Sequence, residues 1–267
     1  MSRPRALGGD VLRRAGVLLG REVAVPFLRA RARRRWLNPG AATIVTVNWN
    51  SWEHCAVLIE LVERRSPPGT RILVVDNGSV DGSRGRLAAR HDVRSLRLPL
   101  NLGHELALDL GVLLCETEFV VTLDVDAFPL HDNWLAELLA PLAEGAEVAG
   151  ARLNREYVHP CCLAMRTARF VRQRHSFRSH YTPRTADSDA SGDVGEDISM
   201  REAPNVHFFE VTSQRGPGDV GTVFGDLVYH NFYATRFNAT AEHTLDGVVE
   251  ASDPAAAWQE ALERYGR

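Results

Sequence analysis

The stretch that decides the fold is FVVTLDVDAFPLHDNWL, residues 119–135. It opens as an apolar, β-branched run typical of a buried strand, and this run ends in two aspartates, Asp124 and Asp126. A turn is expected at residues 127–129, and apolar residues at helical spacing follow, with Asp132 as a candidate cap. The stretch therefore predicts a strand that delivers two carboxylates at its carboxyl end, followed by a helix.

Strands and helices alternate in the sequence before this stretch. Apolar runs predict strands at residues 42–49, 71–76 and 93–98, and helices are expected between them, with Asp81 and Asn101 as candidate caps. Short connections between alternating strands and helices indicate a parallel sheet with right-handed crossovers. Ligands bind at the carboxyl ends of such strands, where Asp76, Asp124 and Asp126 all fall.

Beyond Gly150 the sequence changes to short apolar runs separated by polar stretches, which predicts a mixed-sheet extension of the first half. Residues 176–195 contain almost no apolar side chains and predict a mobile loop, of a length often used as a lid. The segment from Asp253 to Tyr265 predicts a terminal helix with Pro254 in its first turn.

These patterns divide the chain into three segments. Residues 1–40 form a basic N-terminal arm, residues 241–267 a C-terminal helix and tail, and residues 41–240 one α/β domain. Within that domain, residues 41–150 are expected to bind the ligand and residues 151–240 to form the second half.

Composition excludes several classes of function. The chain has 267 residues, 45% hydrophobic and 24% charged, and its net charge of −3 offers no general attraction to nucleic acid. All 31 basic residues are arginine, which excludes lysine nucleophiles, Schiff bases and the P-loop lysine. The four cysteines have no CxxC spacing and follow no secretory signal, so reduced thiols in the cytoplasm are expected and a zinc site is not. No apolar run is as long as a membrane-spanning helix, which needs about 18 residues.

The N-terminal arm allows two interpretations. Residues 1–37 carry ten arginines against two acidic residues, Asp10 and Glu22. One interpretation is a surface helix that contacts anionic lipid. The other, a solvated arm or a docking helix, is favoured because the apolar positions follow no clean helical face and Pro26 interrupts the pattern.

Asp124 and Asp126 suit a hard metal ion. Two aspartates one residue apart on a strand point to opposite sides unless a turn brings them together. Carboxylate oxygens suit Mg²⁺ or Mn²⁺, which typically complete their coordination with phosphate oxygens. An Asp-x-Asp pair is common, however, and the alternative is that one of the two caps the next helix or holds a loop.

Four blocks together resemble a known family: TIVTVNWNSW (43–52), ILVVDNGSVDGS (72–83), NLGHELALDLG (101–111) and VVTLDVDAFPLHDNWL (120–135). In this order and spacing they resemble the family 2 glycosyltransferases of the GT-A fold, of a rhamnosyltransferase-like kind, over roughly residues 41–240. The third block departs from the family pattern, because Asp109 stands where an asparagine is usual. The resemblance implies a Rossmann-like, mostly parallel central sheet flanked by helices, with a smaller mixed-sheet acceptor half.

The resemblance also implies an activity and a donor site. The activity is inverting transfer of a sugar from a UDP-, GDP- or dTDP-linked donor to an acceptor hydroxyl. Asp76 would accept a hydrogen bond from the nucleobase, and Asp124 would lie near the ribose or the metal. The complete implied donor-binding set is Val47, Asn48, Asn50, Asp76, Asn101, Gly103 and Asp124. For Asn48 and Asn50 the alternative is a purely structural role as turn residues at a strand end.

The metal and the base follow from the same resemblance. Asp124, Asp126 and His230 would hold Mn²⁺ or Mg²⁺ on the diphosphate, although His230 could equally be a hydrogen-bonded histidine near a loop. The acidic segment GDVGEDISMREA (192–203) would supply the general base, with Arg201 as its accompanying arginine. Three carboxylates, Asp193, Glu196 and Asp197, stay open as the base, and each could instead complement the dipole of a helix N-terminus.

Two other functions remain open. One is a catalytically inactive GT-A-like protein that binds nucleotides or acts as a scaffold. The other is a sugar nucleotidyltransferase, against which NWNSWEHC (48–55) argues because it has neither the glycine nor the basic residue of a triphosphate-binding loop. The expected acceptor is a glycan, a lipid-linked molecule or a small molecule, in bacterial cell-envelope or natural-product glycosylation. No nucleic acid is expected as a partner. The expected location is the cytoplasm, with peripheral contact to the inner face of the membrane through the basic arm.

Overall fold

The computed structural model describes residues 7–152, 156–178, 193–214, 221–232 and 253–266. Most of the predicted lid, residues 179–192, lies outside this part of the chain. The helices are α1 (Leu7–Leu19), α2 (Val25–Ala32), α3 (Trp52–Arg65), α4 (Ser83–Ala89), α5 (His104–Leu113), α6 (Trp134–Ala143), α7 (Thr167–Arg172), α8 (Glu196–Glu202) and α9 (Pro254–Tyr265), with a π-helical turn, Gly20–Ala24, between α1 and α2.

The strands form two sheets. They are β1 (Asn38–Asn48), β2 (Arg71–Asn77), β3 (Arg94–Leu98), β4 (Thr117–Leu123), β5 (Ala127–Pro129), β6 (Val148–Ala151), β7 (Cys162–Arg166), β8 (Val206–Phe209), β9 (Val211–Gln214), β10 (Thr222–Phe224) and β11 (Val228–His230). The large sheet has the order β3-β2-β1-β4-β7-β6-β8 and the small one β5-β11-β10-β9. Strands β3, β2, β1 and β4 are parallel, and β7 is antiparallel to both of its neighbours. The predicted α/β fold with a mostly parallel sheet and a smaller second sheet is confirmed.

The smaller sheet corrects the prediction at residues 127–129. These residues were expected to form a turn, but they form β5, which pairs antiparallel with β11. The turn lies one step earlier, where the Ala127 N–H donates to the Asp124 carbonyl at 2.9 Å. The small sheet is antiparallel throughout, so only the large sheet is mixed.

Helices cover both faces of the large sheet. On one face α3 and α6 bury leucines and Trp134 against Ile44, Val74 and Val121. On the other face α5 packs against Val45 and Val75. A Cβ added to Gly111 would lie 2.7 Å from Val45 Cγ1, so this glycine lets α5 approach the sheet closely.

The N-terminal segment is a docked helix that runs through Pro26. The prediction that Pro26 interrupts it is wrong, because the backbone stays helical through Ala24 and Val25 into the first turn of α2, where Pro26 lies, although proline cannot donate a backbone hydrogen bond there. Arg29 of α2 is buried, donates to the carbonyls of Phe170 (3.0 Å) and His175 (2.6 Å), and lies over the Phe170 ring. The pKa of Arg29 is lowered by burial. This arginine therefore fixes α2 to the C-terminal end of α7, where a cation is favourable.

Helix caps follow the sequence only in part. Asp253 caps α9 as its side chain accepts the Ala256 N–H at 3.0 Å. The expected caps Asp81, Asn101 and Asp132 are wrong: α4, α5 and α6 start after Gly82, Gly103 and Asn133, none of which makes a side-chain cap bond. Asp81 nevertheless accepts the Ser83 N–H at 3.0 Å. Within the described ranges, every helix is too short or too polar to cross a bilayer.

Candidate functional site

A cavity opens where the strand order reverses. Strand β1 has β2 on one side and β4 on the other, and ligands of open α/β sheets bind at such a switch point. The cavity has a volume of about 290 Å³ and lies at the carboxyl ends of β1, β2 and β4. It is lined by Val47, Trp49, Asn77, Asn101, His104, Asp124, Val125, Asp126, His159, Pro160, Asp193 and Val194.

Asp124 and Asp126 line this cavity, and His230 is buried directly beside them. His230 Nε2 lies 3.4 Å from Asp124 Oδ2 and 3.2 Å from Asp126 Oδ1. The turn after β4 supplies both aspartates, and the ladder between β5 and β11 places His230 opposite Ala127, the next residue along. The structure therefore brings together the three residues that the sequence predicted as metal ligands.

These three side chains fit a divalent cation. Their ligand atoms all lie within 4.8 Å of one another. The buried Oδ1 of Asp124 accepts no well-aligned hydrogen bond within the described part of the chain. Although burial opposes it, the neighbouring imidazoles of His104, His230 and His159 hold the pKa of Asp124 below its usual range. Two carboxylates and one imidazole form a donor set suited to Mn²⁺ or Mg²⁺.

Two histidines of the site were missed by sequence analysis. His104, the first residue of α5, has its Nε2 3.3 Å from Asp124 Oδ1; burial lowers its pKa, but Asp124 outweighs this and the net pKa is raised. His159, from the β6–β7 connection, has its pKa lowered to about 4 by burial, so it is neutral near pH 7. The charges of Asp124 and Asp193 both act on His159. The signal for His104 was its position after Asn101-x-Gly103, at the edge of the sheet where the aspartates also lie.

His159 and His230 also belong to a second group of possible ligands. With Cys161 they place one nitrogen or sulfur atom each within 4.8 Å of one another. Burial raises the pKa of the Cys161 thiol well above its usual value. All four cysteines are free and buried. Because the two groups share His230, an ion held by the softer group would compete with one held by Asp124 and Asp126.

Of the three acidic residues offered as the base, Asp193 is the one that lines the cavity. Its Oδ2 accepts a hydrogen bond from the Tyr157 hydroxyl at 2.6 Å. Glu196 turns back and its Oε2 accepts the Asp193 N–H at 2.8 Å, which stabilises the turn before α8. Asp197 pairs at 3.8 Å with Arg201, whose guanidinium also donates to the Gln173 carbonyl. The acidic segment thus divides into one carboxylate at the cavity and two at the helix start.

The donor-binding residues predicted on β1 and β2 also fall into two groups, one that lines the cavity and one that lies behind it. Val47 lines the cavity, but Asn48 and Asp76 are fully buried behind it. Asp76 accepts the Ser79 N–H at 3.1 Å and the Asn48 Nδ2 at 3.3 Å. Asn50 accepts the Val80 N–H through its side chain at 2.7 Å. These polar groups hold the loop after β2, whereas the neighbouring Trp49 and Asn77 face the cavity.

The loop after β2 packs directly against the loop before α5. Gly78 has a φ of +79°, and a Cβ there would lie 2.5 Å from the Leu100 carbonyl carbon, so the approach requires glycine. Asn77 Nδ2 donates to Asn101 Oδ1 at 3.1 Å across this contact. Asn101 Oδ1 also accepts the Gly103 N–H, and Gly103 lines an adjoining groove rather than the cavity. Two asparagines on adjacent loops therefore form one polar edge of the site.

Comparison with known proteins gives a family match. The sequence model described as "Glycosyl transferase family 2" matches residues 43–177. None of the curated protein sequences matches the chain significantly. The matched span contains the loops after β1 and β2, both aspartates and His159, but it ends before Asp193 and His230.

Similar solved structures include TarS of S. aureus and the mannosyltransferase PcManGT. TarS 1–349 of S. aureus in complex with UDP-GlcNAc is 15% identical with a TM-score of 0.49, covering 68% of this chain and 62% of that one. In complex with UDP, TarS 1–349 is 17% identical with a TM-score of 0.43, covering 52% and 50%. The mannosyltransferase PcManGT of Pyrobaculum calidifontis, in complex with GDP-Man and Mn²⁺, is 17% identical with a TM-score of 0.47, covering 78% and 70%. The matches thus span only about half to three-fifths of the length of TarS 1–349.

Proposed function

The chain belongs to glycosyl transferase family 2, and from this premise we propose that it transfers a sugar from a nucleotide diphosphate sugar to an acceptor hydroxyl with inversion at the anomeric carbon. The observation that carries the proposal is the arrangement of carboxylates around a single cavity. Asp124, Asp126 and Asp193 all line this cavity, and so does His159, which is close enough to Asp124 and Asp193 to be influenced by their charges.

The wall formed by Asp124, Asp126 and His230 belongs to the leaving group. These three residues would hold Mn²⁺ or Mg²⁺, which when bound neutralises the negative charge that develops on the departing diphosphate. His104, next to Asp124, carries a raised pKa and can donate a hydrogen bond to a phosphate oxygen at the same wall. The tight packing of β5 on β11 keeps His230 and both aspartates in place before a donor binds.

Asp193 belongs to the nucleophile. An acceptor hydroxyl has a pKa far above neutrality, so a carboxylate within hydrogen-bond reach must take its proton as it attacks. In this step the acceptor oxygen forms a bond to the anomeric carbon, the proton passes to Asp193, and the nucleoside diphosphate leaves with the electron pair of the broken bond. Tyr157 orients Asp193 through its hydroxyl, and attack from the face opposite the diphosphate inverts the configuration.

The remaining cavity wall would receive the nucleoside. Val47, Trp49, Asn77 and Asn101 offer an apolar surface, an indole ring and two amides there. A UDP-, GDP- or dTDP-linked donor fits this chemistry, because a base can stack on an aromatic ring and hydrogen-bond to amides. Asn48, Asn50 and Asp76 would contribute by holding this loop, and Gly103 by starting α5 beside it. The acceptor would be a glycan, a lipid-linked molecule or a small molecule.

Thermal unfolding with a panel of nucleotide sugars, each with and without Mn²⁺, tests the proposal. We expect at least one donor to raise the unfolding temperature only when Mn²⁺ is present, because the ion and the diphosphate bind together. Slow hydrolysis of that donor to nucleoside diphosphate would then support transfer. Stabilisation without hydrolysis or transfer to any acceptor would instead indicate the inactive, nucleotide-binding alternative, and no stabilisation by any donor would contradict the proposal.

A further inference from the structure

The N-terminal helical segment, residues 7–36, exposes an unusual amount of apolar surface. Six large apolar side chains of α1, the π-turn and α2 are exposed by more than half: Val11, Leu12, Leu18, Leu19, Val23 and Phe27. Trp36 follows α2 and is 73% exposed. Elsewhere in the described ranges, exposed large apolar residues are few and scattered, at Val80, Leu100 and Met200. We call the six residues and Trp36 the N-terminal apolar stripe.

The stripe lies on the face of the segment turned away from the protein. Val17, Ala24, Val25 and Leu28 pack onto the core, and Gly20 approaches Leu106 of α5 so closely that a Cβ would lie 2.7 Å from it. The segment therefore has one apolar face that docks and an opposite one that does not. Sequence analysis missed this arrangement because two apolar faces on one helix give no single amphipathic pattern.

The π-turn keeps the exposed side chains in line. The Val25 N–H bonds to the Gly20 carbonyl, five residues back, so this turn holds more residues than the 3.6 of an α-helix. In an ordinary α-helix, residues four positions apart are rotated by a small angle relative to each other around the helix axis. The wider turn offsets this rotation between Leu19, Val23 and Phe27.

Arginines accompany the stripe. Arg14, Arg31 and Arg34 are exposed and have no carboxylate partner among the residues that the structure describes. The segment from residue 1 to 37 has ten arginines and only two acidic residues, Asp10 and Glu22. An apolar stripe flanked by arginines presents side chains for the acyl region of a bilayer and cations for its phosphates.

We propose that the N-terminal apolar stripe and its arginines bind the surface of an anionic membrane, with the helix axis in the plane of the bilayer. Trp36 would lie at the headgroup level, where indole rings are favoured. A second copy of the chain is the other occupant that could cover apolar side chains. A dimer formed through this face would bring the arginine-rich segments of the two copies together, and like charges across an interface oppose association. Charge therefore selects an anionic lipid surface over a dimer.

The position of the segment gives this contact a purpose. A groove lined by Arg13, Arg14 and Arg21 of α1 and the π-turn adjoins the catalytic cavity, with which it shares His104 and Val194. A membrane beneath the stripe would thus lie beside the opening of the site. An acceptor anchored in that membrane would reach Asp193 without leaving the bilayer. This consequence, unlike the membrane contact itself, rests on the proposed sugar transfer.

Co-sedimentation of the full chain with vesicles tests the contact. We expect binding to vesicles of phosphatidylglycerol and phosphatidylcholine in equal parts, no binding to pure phosphatidylcholine, and weaker binding as salt screens the arginines. The variant Leu19→Gln/Val23→Gln/Phe27→Gln should lower the partition coefficient at least tenfold, since it removes the apolar contact but leaves the charge. Arg31→Gln/Arg34→Gln, which removes two exposed charges that line neither the groove nor the cavity, should also lower it severalfold on anionic vesicles.

Matched controls separate this contact from general effects. Val80→Gln/Met200→Gln changes exposed apolar residues elsewhere, and Arg84→Gln/Arg97→Gln removes exposed charges elsewhere; both should bind vesicles like the wild type. All substituted positions are exposed, so unfolding temperatures should stay unchanged. Anionic vesicles should also shift the tryptophan emission to the blue, and Trp36→Phe should abolish the shift.

Three results would overturn the inference. These are failure of the wild type to bind anionic vesicles, equal binding by the apolar-stripe variant, and a wild-type dimer in solution that this variant converts to a monomer. Donor-induced thermal stabilisation, measured on the same variants, keeps the two proposals separate. A protein that fails to bind vesicles but is still stabilised by the donor would count against the membrane contact alone. A protein that binds vesicles but is not stabilised by the donor would count against the proposed function alone.

Discussion

His230 Nε2 lies 3.2 Å from Asp126 Oδ1, although 104 positions separate the two residues in the chain. The contact results from three-residue strands: β11 pairs with β5 so that His230 faces Ala127, and the Asn231 N–H donates to the Asp126 carbonyl at 3.0 Å. Backbone hydrogen bonds on both sides fix the imidazole beside the two carboxylates. The possible metal site is therefore built on a rigid ladder, although its members are far apart in the chain.

Replacement of Asp126 by asparagine tests the metal wall. We expect Asp126→Asn to abolish the Mn²⁺-dependent part of donor stabilisation, because an amide binds a hard cation much more weakly than a carboxylate does. The measurement is thermal unfolding with donor and a series of Mn²⁺ concentrations. Asp132→Asn, at an exposed position outside the cavity, is the matched control and should respond like the wild type. An unchanged Mn²⁺ response in Asp126→Asn would remove this aspartate from the metal site.

Replacement of Asp193 tests the base. Asp193→Asn keeps the shape of the side chain but cannot take a proton, so the kcat for transfer should fall about 10²- to 10⁴-fold while the donor affinity stays the same. Glu196→Gln and Asp197→Asn should retain kcat within a few-fold, because their side chains stabilise the start of α8. Tyr157→Phe should show an intermediate loss through poorer orientation of Asp193. A larger loss in Glu196→Gln or Asp197→Asn than in Asp193→Asn would assign the base to that residue instead.

Asp109 makes stability depend on pH. Burial raises its pKa to about 6, while Ser176 and the Phe177 N–H, which donate to it, and the charge of Arg29 partly oppose this rise. The Asp109 carboxyl group therefore holds its proton more tightly in the folded protein than in the unfolded chain. The resulting stabilisation is complete below the unfolded pKa and is lost as the pH rises to about 6.

The variant Asp109→Asn should remove this dependence and unfold at a higher denaturant concentration than the wild type near pH 7. The difference should be about 1–3 kcal/mol in free energy of unfolding, and it should vanish near pH 4. Asparagine can still accept the Phe177 N–H, and it is the residue usual at this position in the family pattern. Denaturant unfolding at a series of pH values gives the answer; parallel pH profiles for the two proteins would show that Asp109 is not the responsible group.

Arg29 anchors the N-terminal segment. Arg29→Met should lower the free energy of unfolding by about 2–4 kcal/mol, because the backbone carbonyls of Phe170 and His175 lose their charged donor inside the protein. Arg31→Met, two residues along on the exposed side, should change it by less than about 0.5 kcal/mol. Denaturant unfolding of both variants measures the difference. Equal stability of the two would mean that α2 is held by its apolar contacts alone.

The strand–helix alternation and the position of Asp124 and Asp126 could be predicted from sequence, because both depend on local patterns. A β-branched run ending in aspartate places a carboxylate at the edge of a parallel sheet whatever the rest of the chain does. The parts that failed depend on distant partners. Ala127–Pro129 became a strand because β11 pairs with it, and Asn101 turned to Asn77 and Gly103 rather than capping α5.

The same distinction applies to the site residues. His159 could not be found from sequence, because its place in the cavity depends on how the β6–β7 connection crosses the end of β4. Asp76 fits the family pattern, yet it is buried under the loop that it holds, so its predicted contact with the nucleobase stays a prediction. Among the three acids around residue 195, sequence spacing could not choose. The choice of Asp193 comes from the turn at Gly195, which has a φ of +81° and starts α8 away from the cavity.

The most direct test of the account is a crystal structure with Mn²⁺ and an intact nucleotide diphosphate sugar, in which anomalous scattering locates the ion. The account predicts the ion between the diphosphate and the side chains of Asp124, Asp126 and His230. It also predicts the carboxylate of Asp193 on the side of the anomeric carbon that faces away from the diphosphate. An ion bound elsewhere, or a sugar whose anomeric carbon is turned away from Asp193, would contradict the division of this cavity into a leaving-group wall and a nucleophile wall.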